Sequence, residues 1–129
     1  MYNGWNDLVA TAREIVSNES PPGSPITLHA NDPNVAVNPR DHSDHRMAGL
    51  VAADLKKKGD WRLIYYVGYA LVARPDNRSI AQVRQKTALF LAYDREMLLV
   101  NRAWSAYSEH PAFYSACMLR TYARKVAPR

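Results

Sequence analysis

Cysteine is almost missing from this 129-residue chain: Cys117 stands alone. One thiol cannot close an internal disulfide, and zinc knuckles built on several cysteines are excluded with it. Long apolar runs are missing too. The longest, "LIYYVGYALVA" and "ALFLAY", fall far short of the roughly 20 residues that span a bilayer. The opening "MYNGWNDLVATAREIV" lacks the basic segment followed by an apolar one that marks a secretory signal, so a cytoplasmic chain with no membrane span is expected. Internal repeats are absent. At this length the chain is one domain or part of one, with a modest core; residues 1–129 are expected to form a single unit ending in a basic helix and tail over 108–129.

Charge of one sign dominates, at net +5. Arg120, Arg124, Lys125 and Arg129, with Tyr114 and Tyr122, are the residues a nucleic-acid-binding module would use. They also fit an amphipathic helix with Met118, Leu119 and Val126, whose terminal cations complement its dipole. No recognised binding motif accompanies them, so no nucleic-acid partner is expected.

The pattern alternates elements. Leu8, Ala12, Ile15 and Val16 recur at helical spacing behind Asn6 or Asp7, predicting an amphipathic helix over 7–17. "ITLHA", 26–30, is a short apolar run suited to a central strand, and "NDPNVAVNPR" is a loop marked by two Asx-Pro pairs. Ser43 is a good N-cap for a second helix with Met47, Leu50, Val51 and Leu55 as its stripe, closed by Lys56, Lys57, Lys58 and Gly59. "WRLIYYVGYALV", 61–72, predicts a strand bent at Gly68. Ser79 with Gln82 is a capping box for a long helix, and Pro111 suits the first turn of a last one running to about Lys125.

The resulting order, α-β-α-β-α-α, predicts a layered α/β domain: a partial, Rossmann-like three-layer α/β/α arrangement with few parallel strands and a helical C-terminal region. Two strands make a thin sheet, and an apolar strand such as "ITLHA" expects neighbours on both sides. The chain therefore reads as the back half of a larger α/β unit.

Within that frame one cluster carries chemistry. "NPRDHSDHRMAGL", 38–50, packs Asp41, His42, Ser43, Asp44 and His45 together where a strand-loop connection enters a helix. In open α/β sheets this side is where ligand sites form. Histidines three apart lie on neighbouring parts of one helix face, so His42 and His45 can address one cleft, while Asp44 or Asp41 receives a ring N–H and fixes a tautomer. An imidazole held so is a metal ligand, and a second one beside it can donate a proton or stabilise an oxyanion. A plain solvated helix start is the competing interpretation.

"DHSDHRMAGLVAADL" resembles the second signature of the LmbE/PIG-L type zinc-dependent N-deacetylases, His-x-Asp-His followed by a small-residue-rich helix. "SPITLHANDP" resembles the strand and loop before that signature, "YYVGYALV" the Tyr-rich strand after it, and "KTALFLAY" a later Lys-led helix. The resemblance implies His45 as a ligand of Zn2+ or another divalent metal. It implies His42 as the group that stabilises or protonates the tetrahedral intermediate, and Asp44 as the residue orienting an imidazole. The implied reaction is hydrolysis of an N-acetyl group on a small-molecule amino sugar or related glycoconjugate by metal-activated water.

The chain departs from that family at two places. Its first signature, His-Pro-Asp-Asp, which supplies two further ligands and the general base, does not occur, and "YDRE", 93–96, stands in place of Tyr-x-Ser-Gln. One ligand is an incomplete hydrolytic metal site. The expectation is the C-terminal part of a deacetylase-like domain: a truncated reading frame, a subunit that self-associates or takes a complementary N-terminal segment, or a degenerate homologue. A compact alternative sets His29 and Asp32 of "HAND" beside His45, with Asn31 where a second aspartate would stand. A non-catalytic interaction protein would instead present Tyr65, Tyr66, Tyr69, Trp104 and Tyr107 to a partner.

Overall fold

The computed structural model describes residues 3–101 and 105–127; Trp104 and Arg129 lie outside them. The chain is mixed α/β with a small three-stranded sheet. It divides into two compact units, one reaching to Tyr69 and resuming at Tyr122, the other from Ala70 to Thr121.

The first unit holds the sheet. Helix α1 spans Trp5–Glu19, strand β1 Thr27–Asn31, helix α2 Ser43–Lys58, strand β2 Arg62–Tyr66 and strand β3 Ala123–Lys125. β2 lies between the others, parallel to β1 with Thr27 opposite Arg62 and Asn31 opposite Tyr66, and antiparallel to β3 with Ile64 opposite Lys125. Alternation along the strands decides which side is buried. Leu28, Ala30, Leu63, Tyr65 and Val126 gather with Ala52 of α2 in a core, and the Tyr65 hydroxyl donates to the Gly49 carbonyl at 2.9 Å. Gly49 has to be glycine, because a Cβ there would run into the carbonyl oxygen of Asn31 and into Pro33. α1 packs on α2 through a buried Val9 and a Trp5 Nε1 bond to Asp54 at 2.7 Å. Of this unit's two helices α2 is the one that packs closely on the strands among the described residues, on the side of Leu63 and Tyr65; His29, Arg62, Ile64, Tyr66 and Lys125 alternate onto the opposite face.

An ion pair between a buried carboxylate and a half-exposed guanidinium ties the sheet across its width. Asp32, just past β1 and 1% exposed, extends the ladder by donating its N–H to the Tyr66 carbonyl at 2.8 Å. Its carboxylate accepts from Arg124 Nε at 2.5 Å and Nη2 at 3.0 Å, and the guanidinium lies 4.9 Å from the centre of the Tyr65 ring. Burial pushes the Asp32 carboxyl up, but the Arg124 hydrogen bonds, the Asn34 N–H and the guanidinium charge outweigh it and hold it below its ordinary value.

The second unit is helical: a 3-10 turn at Tyr69–Ala73 leads into it, followed by α3 over Ile80–Val100, α4 over Ala106–Glu109 and α5 over Pro111–Met118. The expected capping box is present, Ser79 accepting from the Gln82 N–H and Gln82 from the Ser79 N–H. Lys86 is drawn to the end of α5, where its ammonium donates to the carbonyls of Cys117 (2.7 Å) and Arg120 (2.5 Å); burial lowers its pKa. Asp94, buried, caps α4 by accepting from Ser105 Oγ and the Ala106 N–H, each at 2.8 Å.

Three expectations are corrected. The strand proposed over 61–72 stops at Tyr66 and gives way to the 3-10 turn. The last helix stops at Met118 instead of running to Lys125, because Asn77 clasps Thr121 in both directions, Nδ2 to the carbonyl at 2.7 Å and Oδ1 from the N–H at 2.9 Å. Residues 123–125 then form the third strand that the sequence did not offer, so 108–129 is no single basic helix and tail.

Removing the guanidinium tests the latch. Arg124→Ala leaves the Asp32 carboxylate buried without its partner and, with the guanidinium half-exposed, is expected to cost about 2 kcal/mol at neutral pH. Because the folded-state pKa of Asp32 is depressed, that contribution is complete above the ordinary carboxyl value of about 4 and fades as pH falls below it. Urea titrations at pH 7 and about pH 3 should show the wild-type advantage shrinking; an advantage unchanged by acid would contradict the assignment.

Candidate functional site

The loop from Asp32 to His42 is built by short polar side chains that bond to nearby backbone. Asn34 donates its N–H to Asp32 Oδ1 at 3.0 Å, and Ala36 donates to Asn34 Oδ1 at 2.9 Å, both Asx turns. Arg40 then adopts a left-handed backbone, φ 59°, the rare non-glycine case. Asp41 follows with its side chain fully buried.

Four donors converge on that carboxylate. Oδ1 accepts from the His42 N–H at 3.0 Å and from His45 Nδ1 at 2.8 Å. Oδ2 accepts from Asn38 Nδ2 at 2.5 Å and, more weakly, from Asn31 Nδ2 at 3.5 Å. Asn38 is itself buried and saturated, its Nδ2 also reaching the Asp32 carbonyl and its Oδ1 accepting from the Gly68 N–H at 2.9 Å. Gly68 makes room: a Cβ there would sit 2.8 and 2.9 Å from the two Asp41 oxygens.

The hydrogen bonds assign complementary tautomers to the two histidines. His45 donates Nδ1–H to Asp41 and keeps a lone pair on Nε2, as a metal ligand or a base does. His42 is the N-cap of α2, its Nδ1 accepting from the Asp44 N–H at 3.2 Å, so its Nε2 carries the proton and is a donor. The ring centroids lie 5.8 Å apart at 61°, and Tyr69 meets His45 edge-on at 5.3 Å. His45 is partly and His42 largely exposed.

Of the residues expected at the site, Asp41, His42, Asp44 and His45 come together. Asp41 orients His45; Asp44, almost entirely exposed, stands beside His42, its Oδ2 3.5 Å from Nδ1. His29 and Asp32 do not join them. His29 stacks on Tyr66 with Nδ1 2.9 Å from the phenol oxygen, and Asp32 is held by Arg124, so the compact two-His, one-carboxylate set is not assembled. Among the described residues no group of three or more His, Cys, Asp or Glu side chains is placed to hold a metal ion. His45 is one ligand with its supporting carboxylate, and a complete metal site does not fit these residues. Sequence reasoning missed Asn31, Asn38 and Gly68; the signal available was the Asn-Pro before the cluster and the glycine closing a Tyr-rich strand. Comparison with family models, curated proteins and solved structures finds no match.

Gly68→Ala is the substitution that separates a positioned histidine from a merely exposed one. It should displace the Asp41 carboxylate, lower stability by about 1–3 kcal/mol as overpacking does, and convert His45 from a single Nδ1–H tautomer to a mixture. Long-range 15N–1H spectra of the imidazoles read the tautomer directly. An unchanged His45 pattern would show that Asp41 does not set it.

Proposed function

We propose that the His42–His45 cluster is the histidine half of an N-deacetylase-type hydrolytic site acting on the N-acetyl group of an amino sugar or related glycoconjugate, in a partial Rossmann-like domain of the LmbE/PIG-L kind. One observation carries this reading: a fully buried carboxylate fixes His45 as an outward Nε2 acceptor, 5.8 Å from a His42 ring fixed as an outward Nε2–H donor. An acceptor and a donor side by side are what amide hydrolysis requires of this half. His42 Nε2–H would stabilise the oxyanion of the tetrahedral intermediate or give a proton to the departing nitrogen. His45 would offer its lone pair to zinc or another divalent cation, and Asp41 would hold the ring. The remaining ligands and the aspartate base have to come from outside the described residues, in the form of a His-Pro-Asp-Asp segment.

That same shortfall favours a second reading, a non-catalytic homologue that acts as a subunit or interaction protein. Zinc titration calorimetry distinguishes the two. The deacetylase half-site should bind zinc weakly, lose it with His45→Ala, and lose roughly 10- to 100-fold in affinity with Asp41→Asn. Turnover of N-acetylglucosamine-type substrates should be negligible alone and appear on co-expression with a His-Pro-Asp-Asp segment. Zinc binding indifferent to both substitutions, or none at all, would leave the interaction protein as the reading.

A further inference from the structure

The face of the sheet opposite α2 has a composition of its own. Its rows, read across the strands, are Thr27 and Arg62; His29, Ile64 and Lys125; Asn31, Tyr66 and Ala123. A sheet face that packs under a helix reads as a nearly continuous run of Val, Ile and Leu. This one has Ile64 as its single aliphatic residue above alanine size, so it is not built as the inner layer of a sandwich. Every formal charge on it is positive, and Arg62 and Lys125 are both exposed. The nearby Asp32 carboxylate is buried and matched by Arg124.

Aromatic rings complete the pattern. His29 and Tyr66 stack with planes 23° apart and centroids 5.7 Å, locked by the Nδ1 to hydroxyl contact. Across the strand Tyr66 faces Ala123, whose methyl group leaves that flank open. A paired ring surface with Arg62 and Lys125 on the same face, and no anion on it, complements a flexible polyanion whose units carry planar rings. An acidic peptide would use the cations but leave the stacked pair idle. Duplex nucleic acid keeps its bases stacked inside and unable to reach it.

We propose that this open face binds single-stranded nucleic acid, with bases stacking on the His29–Tyr66 pair and phosphates on Arg62 and Lys125. The inference is independent of the deacetylase reading, since none of these four residues takes part in it. It also differs from the C-terminal residues to which the sequence drew attention: Arg120 is paired with Asp76 and Arg124 with Asp32, and Lys125 is the described cation of that group that lies on this face.

Fluorescence anisotropy of the whole chain with a labelled oligothymidylate of about ten nucleotides tests it. Saturable binding should weaken with salt at a log–log slope of about −1.4, two phosphate contacts at roughly −0.7 each. Arg62→Ala and Lys125→Ala should each flatten the slope by about 0.7, and His29→Ala should weaken binding about tenfold. Lys58→Glu, an exposed cation at the end of α2, should leave the slope unchanged, and circular dichroism should show every variant folded. Absence of saturable binding would overturn the proposal, as would equal affinity for duplex DNA, a slope indifferent to Arg62 and Lys125, or a Lys58→Glu effect as large as theirs.

Discussion

A carboxylate wholly removed from water costs several kcal/mol unless its oxygens are occupied, and the arrangement around Asp41 follows from meeting that demand. Its four donors come from four places: the end of β1, the loop, the first backbone N–H of the helix entry and the first turn of α2. Satisfying the charge therefore fixes where α2 begins relative to β1, which histidine nitrogen faces inward, and how closely the chain after β2 can approach. Asp32 does the same at the sheet edge, with Arg124 in place of amides. The two buried carboxylates bracket the loop, and Asn38 joins them by bonding to the Asp32 carbonyl and the Asp41 oxygen at once.

Much of this was legible in the residues. The Asx-Pro loop, the cationic C-terminal turn of α2 and the Ser79–Gln82 box are local chemistry and stand where their side chains predict, whereas the cap of α2 falls on His42, one residue before the expected Ser43. The clustering of His42 and His45 was legible for the same reason. What escaped depends on partners distant in the chain. β3 is three exposed residues, Ala-Arg-Lys, with no alternation to reveal a strand; it exists because Arg124 reaches Asp32, ninety-two residues away. Past the end of β2 the Gly68 N–H turns to the Asn38 side chain and its Cα sits against the Asp41 carboxylate, and periodicity contains no trace of those contacts. Asp41 and not Asp44 bonds to His45, because Asp41 is turned inward while Asp44 stays in solvent, and local sequence does not distinguish the two.

The helical unit shows how residues with a chemical appearance can be spent on architecture. Lys86, at the head of "KTALFLAY", gathers carbonyls at the end of α5, and Asp94 of "YDRE" caps the start of α4. Neither is free for chemistry. In the first unit the division is by surface: the carboxyl ends of β1 and β2 lead to His42 and His45, while the face opposite α2 carries Arg62, Lys125 and the His29–Tyr66 pair.

The central claim is that one buried charge organises this corner, and native-state hydrogen exchange in Asp41→Asn tests it most directly. The His42 amide, bound to Asp41, and the Gly68 amide, bound to Asn38, have no contact with each other in the chain. If Asp41 is the keystone, both lose protection together in the variant while the Leu63 and Tyr65 amides inside the sheet keep theirs. Protection of Gly68 that survives the substitution unchanged would contradict the account.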